Sequence, residues 1–124
     1  MSHYTEVKHT KINDLPMLMK TLEILGYGMR MDHFIMGDQG RRRVDLAVKI
    51  DGKYCVGFKK NRNGSYDVVA DWFYAKTSSK RFIPKLQQTY NTEKVIHEAQ
   101  SRGYSLIQQK VVNGAIRLVL RKIS

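Results

Sequence analysis

The chain is poor in cysteine, proline and acid. Its 124 residues include one cysteine, Cys55, and two prolines. A single thiol excludes an intramolecular disulfide framework and any zinc site built from several thiolates. No apolar run approaches the ~18 residues of a membrane span, and the N-terminal stretch holds no signal-peptide core. Glu6 and Asp14 argue against an organellar transit peptide, which is acid-poor. No low-complexity, Pro-rich or linker-like tract divides residues 1–124, a length that supplies one domain with a core of about two layers. Acids number 11 against 22 Lys plus Arg, giving a formal net charge of +11. The expectation is a soluble, basic, single-domain protein with no secretion signal and no membrane segment.

The excess charge is uneven. Residues 1–51 are nearly balanced, with 8 cations and 7 acids. Residues 52–92 hold 8 cations against Asp67 and Asp71 alone, and residues 99–124 hold 5 cations and no acid. A charge that served only solubility would be scattered, whereas an anion-binding face concentrates it.

Residues 3–12 read as a first strand of poor alternation. Asp14 is a helix N-cap, with Pro16 in the first turn, where its missing N–H costs little. Leu15, Leu18, Met19, Leu22 and Leu25 form one helical stripe, and Gly26 stops it. Tyr27 to Met36 reads as a strand, followed by a turn over residues 37–40. Val44, Leu46, Val48 and Ile50 alternate with Arg43, Asp45, Ala47 and Lys49 in the cleanest strand of the sequence. Tyr54, Val56 and Phe58 set the apolar phase of the next. A three-residue loop, Ile50-Asp51-Gly52, puts Val48 against Tyr54, Leu46 against Val56 and Val44 against Phe58, all on one face. Asn61-Arg62-Asn63-Gly64 turns the chain into Tyr66, Val68 and Ala70.

Ser78 or Ser79 caps a second helix, in whose first turn Pro84 must lie. Asn91-Thr92 is a candidate break and Gly103 the end. Tyr104 to Val112 and Ala115 to Ile123 form a hairpin about Asn113-Gly114, with Val111 facing Ile116, Ile107 facing Leu120 and Lys110 facing Arg117. The fold class is α+β, an antiparallel sheet layered with two helices on one face, in the order β-α-β-β-β-β-α-β-β. Helix, Gly-Tyr, strand, turn and basic strand occur in both halves, which suggests a duplicated β-α-β-β unit.

Two features carry binding chemistry. In the register above Arg42 lies opposite Lys60, so Arg41, Arg42, Arg43, Lys59, Lys60 and Arg62 gather at one hairpin end. Six like charges there repel one another, and an anion relieves the cost; Arg offers paired donors to phosphate. Trp72, Phe73 and Tyr74 cannot all face a core, because successive side chains diverge. An exposed ring beside Lys76, Lys80 and Arg81 could stack on unpaired bases or anchor a protein partner, while rings that plug the sheet edge are the commoner arrangement. Arg117 and Arg121 extend the basic surface.

Enzyme signatures are weak. His3, His9, His33 and His97 form no helical metal-binding pair, and there is no phosphate-cradling Gly-rich loop and no G-x-S-x-G. Cys55 reads as a buried strand thiol rather than a nucleophile. Asp71 is a lone acid, without the second group that acid–base chemistry requires, and reads as a cap or an ion-pair partner. No cofactor, metal or catalytic residue is expected.

Met1-Ser2-His3, Leu25-Gly26-Tyr27, Val44-Asp45-Leu46-Ala47-Val48, Tyr54 with Gly57-Phe58, Asn63-Gly64-Ser65-Tyr66, Val69-Ala70-Asp71-Trp72, Gly103-Tyr104 and the 116–121 strand together resemble a family of small uncharacterised proteins. These are encoded in algal plastids, cyanobacteria, other bacteria and their phages, and form a domain of unknown function. The resemblance covers nearly the whole chain. It implies one domain working in a plastid stroma, a bacterial cytoplasm or a phage-infected cell, and it implies no activity. Relatives are often near neutral or acidic, so the +11 charge belongs to this chain, and they tend to carry a second Trp where Phe73 stands. The expected function is a non-catalytic module binding a polyanion, RNA or a ribonucleoprotein. The alternative is a protein-interaction or assembly factor acting through Trp72, Phe73 and Tyr74.

Overall fold

The computed structural model describes residues 2–8 and 10–123. His9, within the expected first strand and among the four histidines, lies outside the described residues. The elements run β1 (Thr5–Val7), α1 (Leu15–Ile24), β2 (Gly28–Gly37), β3 (Gly40–Ile50), β4 (Lys53–Lys60), β5 (Tyr66–Ala70), α2 (Trp72–Ala75), α3 (Ser79–Ser101), β6 (Tyr104–Val112) and β7 (Ala115–Lys122). The expected α+β order holds, with the four-residue α2 added. The first strand is only Thr5–Val7 rather than 3–12.

Local chemistry explains the boundaries. Asp14 accepts the Met17 amide at 3.1 Å and opens α1. At its end the Tyr27 amide donates to the Leu22 carbonyl and Gly26 to Glu23, with Gly26 at φ +85°. That is a Schellman stop, which an L side chain resists at the left-handed position. Ser78 caps α3 by accepting the Arg81 amide. Pro84 is the sixth residue of α3 and not in its first turn, and the helix runs through Asn91-Thr92 unbroken. The Thr92 hydroxyl donates to the Gln88 carbonyl, which satisfies it inside the helix without interrupting the helix.

The main sheet has the order β1-β5-β4-β3-β2 and is antiparallel throughout. Asp51 and Gly52 both take positive φ, 49° and 80°, a two-residue turn with the twist hairpins favour. It pairs Lys49 with Tyr54, but Val48 with Val56 and Leu46 with Phe58, across a register shift. The expected pairing of Val48 with Tyr54 is therefore corrected. A bulge takes up Cys55, so a tight turn and an apolar face coexist without the three-residue loop.

One face of this sheet, with Leu46, Val48, Val56, Phe58, Val68 and Ala70, packs against Leu18 and Leu22 of α1 and Phe82, Leu86 and Tyr90 of α3. Each Val, Leu or Phe among them contributes roughly 1.5–3 kcal/mol when fully buried. The opposite face presents the cross-strand row Ala47, Gly57, Val69. Ile35 and Val44 form a second cluster with Ala47 and Val69 of that row, and Tyr4 and Tyr54 pack against it. The far half of the β2–β3 hairpin folds back across this face. It bends where Asp32 takes φ +48°, and Val44 comes to lie over Gly57.

β6 and β7 form their own two-stranded sheet, packed on α3 and separate from the main one. The two halves of the chain thus share an order of elements, but the closing hairpin of the first, β2–β3, joins the main sheet while that of the second, β6–β7, stands apart from it. Val111 faces Ile116 and Lys110 faces Arg117 as expected. Leu106, not Ile107, faces Leu120, because a shift sets Ile107 out of register.

Candidate nucleic-acid interface

Folding back of the β2–β3 hairpin decides where its arginines point. The Tyr4 hydroxyl donates to the Ile35 carbonyl at 3.2 Å and to the Gly40 carbonyl, pinning the hairpin end over the sheet. Arg42 turns toward the sheet, donating to Glu6 at 2.8 Å with its guanidinium 5.5 Å from the Tyr4 ring centre. Arg41 and Arg43 alternate to the other side, 4.8 and 5.7 Å from the Phe34 ring centre. The expected pairing of Arg42 with Lys60 does not form. Instead the Lys60 amide donates to the Asp45 carboxylate at 2.7 Å, where β3 leaves the ladder.

Beside that hairpin lies an open groove of about 690 Å³, lined by Glu6, Lys8, Thr10, Asp67, Ser65 and the segment 59–63. Lys59 stands across from Asp67 in the β4–β5 pairing. The segment is shaped by Asn61, whose side-chain oxygen accepts the Asn63 and Ser65 amides at 2.9 and 3.1 Å. Its amide nitrogen donates to Asp67 at 3.0 Å. The Asp67 carboxylate is buried and also sees Lys8 at 3.9 Å, while Glu6 takes Arg42 and, at 3.5 Å, Lys8. Both groove carboxylates are thus engaged. Lys59, Lys60 and Arg62 are exposed and form no ion pair with any carboxylate among the described residues. Of the six cations expected at one end, three line the groove, Arg42 touches its wall through Glu6, and Arg41 and Arg43 face outward. Lys8, Asn61, Ser65 and Asp67 are members that sequence reasoning missed. Asp67 meets the rest only through strand pairing and Lys8 only because it follows the paired β1, and Asn61 read simply as a turn residue.

Asp71 ties three segments together. It accepts the Ser2 hydroxyl at 2.7 Å, the Asp38 amide at 3.0 Å and the Tyr74 amide at 3.2 Å. Burial is the largest single influence on its carboxyl and acts upward. The hydrogen bonds from Ser2, Asp38 and Tyr74, with the charge of His3, outweigh it and hold the pKa below the usual carboxylate value. This fits the cap role, with the Tyr74 amide held at the start of α2. Burial also pushes the Cys55 thiol up, which suits packing more than nucleophilic attack.

The aromatic run divides. Trp72 packs on Phe82, with ring centres 6.0 Å apart, and Tyr74 lies against the core with Lys53 over its ring. Phe73 alone projects, 83% exposed. With Trp72, Lys76 and Arg81 it borders a shallow cavity of about 510 Å³, whereas Lys80 lines a different one with Val7 and Ile83. Arg117 and Arg121 sit far along the sequence on β7, with Lys110 directly opposite Arg117.

Among the described residues no group of three or more His, Cys, Asp or Glu is placed to hold a metal ion. No described helix is long and apolar enough to cross a membrane.

Comparison with known proteins finds a relative from Pyropia yezoensis, "Uncharacterized protein ycf35", 32% identical over 127 residues and covering 98% of both chains. No solved structure matches the chain. The family described as "Protein of unknown function (DUF1257)" matches residues 21–119. With most of its length inside that match and a relative aligned nearly end to end, the chain belongs to the DUF1257 family.

Proposed function

We propose that the protein is a non-catalytic module that binds the phosphate backbone of single-stranded RNA, free or within a ribonucleoprotein, in a plastid stroma or bacterial cytoplasm. One observation carries this reading. Lys59, Lys60 and Arg62 line a groove whose two carboxylates, Glu6 and Asp67, are held by Arg42, Lys8 and Asn61, so these three cations outnumber the groove's acids and form no ion pair with them among the described residues. The Arg42–Glu6 pair sets the hairpin end beside that groove. There Arg41 and Arg43, spread over Phe34, present guanidinium planes to solvent, and such planes take up phosphates and stack on unpaired bases. The aromatic triplet offers less for a protein partner, since only Phe73 stands clear.

Filter binding to a single-stranded RNA of about 20 nucleotides tests it. The three groove cations with Arg41 and Arg43 make about five phosphate contacts. The affinity then falls about a hundredfold between 50 and 200 mM salt. No binding at the lower salt eliminates the reading.

A further inference from the structure

The β6–β7 hairpin is built differently from the rest. None of its residues is buried, and it rests on α3 through β6. A lone two-stranded sheet is marginal in water, and its two outer edges carry unpaired backbone groups. The edges are not alike. The register shift places the surplus residue, Ile107, on β6, whereas β7 is regular from Ala115 to Lys122. A bulged edge resists a further strand and a regular one accepts it.

The side chains of β7 say what that strand would carry. Arg117, Val119 and Arg121 follow at two-residue spacing on the face away from α3, with Val119 41% exposed, and Lys110 lies across from Arg117. Cations directly opposite one another destabilise a strand pair. The chain has no acid from residue 99 onward to relieve them. A second copy would bring the same cations face to face. RNA would find no aromatic platform among Ser105, Gln108, Lys110, Arg117, Val119 and Arg121.

We infer that β7 is the docking edge for an extended acidic segment of another protein, paired as a third strand with acids facing Arg117 and Arg121 and an aliphatic residue facing Val119. This edge shares no residue with the groove and needs no RNA.

The test uses the full chain and a synthetic peptide with the core Glu-Val-Val-Val-Glu, which reads the same in either strand direction. Peptides with Gln or Lys in place of Glu are the controls. Amide hydrogen exchange should slow by about tenfold along β7 with the Glu peptide alone. The double variant Arg117→Glu, Arg121→Glu should lose that protection and gain it with the Lys peptide, while exchange in β3 and β4 stays unchanged. A groove variant, Lys59→Ala, Lys60→Ala, Arg62→Ala, should keep the Glu-peptide effect whether or not it still binds RNA. Equal protection by all three peptides, or none, overturns the inference. So does protection of β7 by phosphatidylglycerol vesicles or by RNA where the Glu peptide gives none.

Discussion

A Cβ added at Gly57 would lie 2.5 Å from Val44 Cγ1, closer than atoms can approach. The hairpin crosses the sheet there because Gly57 leaves room. Gly57→Ala should therefore cost about 1–3 kcal/mol, the range for overpacking a tight site. Val44→Ala in the same chain should recover part of that loss in urea denaturation. Strictly additive costs would mean that the two residues do not touch. Asp71 acts through charge instead. Its folded pKa is depressed, so its stabilisation is complete above the unfolded value of about 4 and is lost as pH falls through the folded one. Asp71→Asn removes a charge-assisted acceptor from three donors and should cost about 2–3 kcal/mol at neutral pH. The gap between wild type and variant should narrow as the pH drops toward about 3. A gap constant with pH would show that the charge is irrelevant and only the shape matters.

Among the elements, α2 sorts its aromatics by depth. Phe73→Ala should change stability by no more than about 0.5 kcal/mol, because the ring touches mostly water. Trp72→Ala should cost about 2–3 kcal/mol, below a fully buried Trp, because the indole packs on Phe82 but is only partly covered. Similar destabilisation by both substitutions would mean that the Phe73 ring is packed in solution. The order of elements was legible from alternation, caps and Gly stops, since each depends on a few neighbouring residues. Register was less so. Keeping the apolar residues of both strands on one face pointed to a three-residue loop with Val48 against Tyr54, whereas Asp51-Gly52 makes a two-residue turn and a bulge at Cys55 brings Val48 against Val56. The groove was half legible. Lys59, Lys60 and Arg62 are near one another in sequence, but Asp67 arrives by strand pairing and Lys8 by directly following the paired strand β1. The inward turn of Arg42 follows from a hairpin folding over a glycine, which no local pattern encodes.

For the whole molecule the question is whether charge acts by amount or by place. A protein of net charge +11 attracts any polyanion at low salt, so weak RNA binding alone would not distinguish a site from a diffuse field. Two triple variants separate these cases. Lys59→Ala, Lys60→Ala, Arg62→Ala strips the groove, and Lys11→Ala, Lys85→Ala, Lys94→Ala strips three exposed lysines with no ion pair among the described residues. Each removes three positive charges. If phosphates sit in the groove, the slope of log affinity against log salt should become shallower by about 2 units in the first variant, near 0.7 for each single-strand phosphate it no longer neutralises. The second keeps the slope and weakens only through the modest attraction of the overall field, which salt screens over about 10 Å. Equal slopes in the two variants would assign RNA binding to net charge and leave the groove without a role in it.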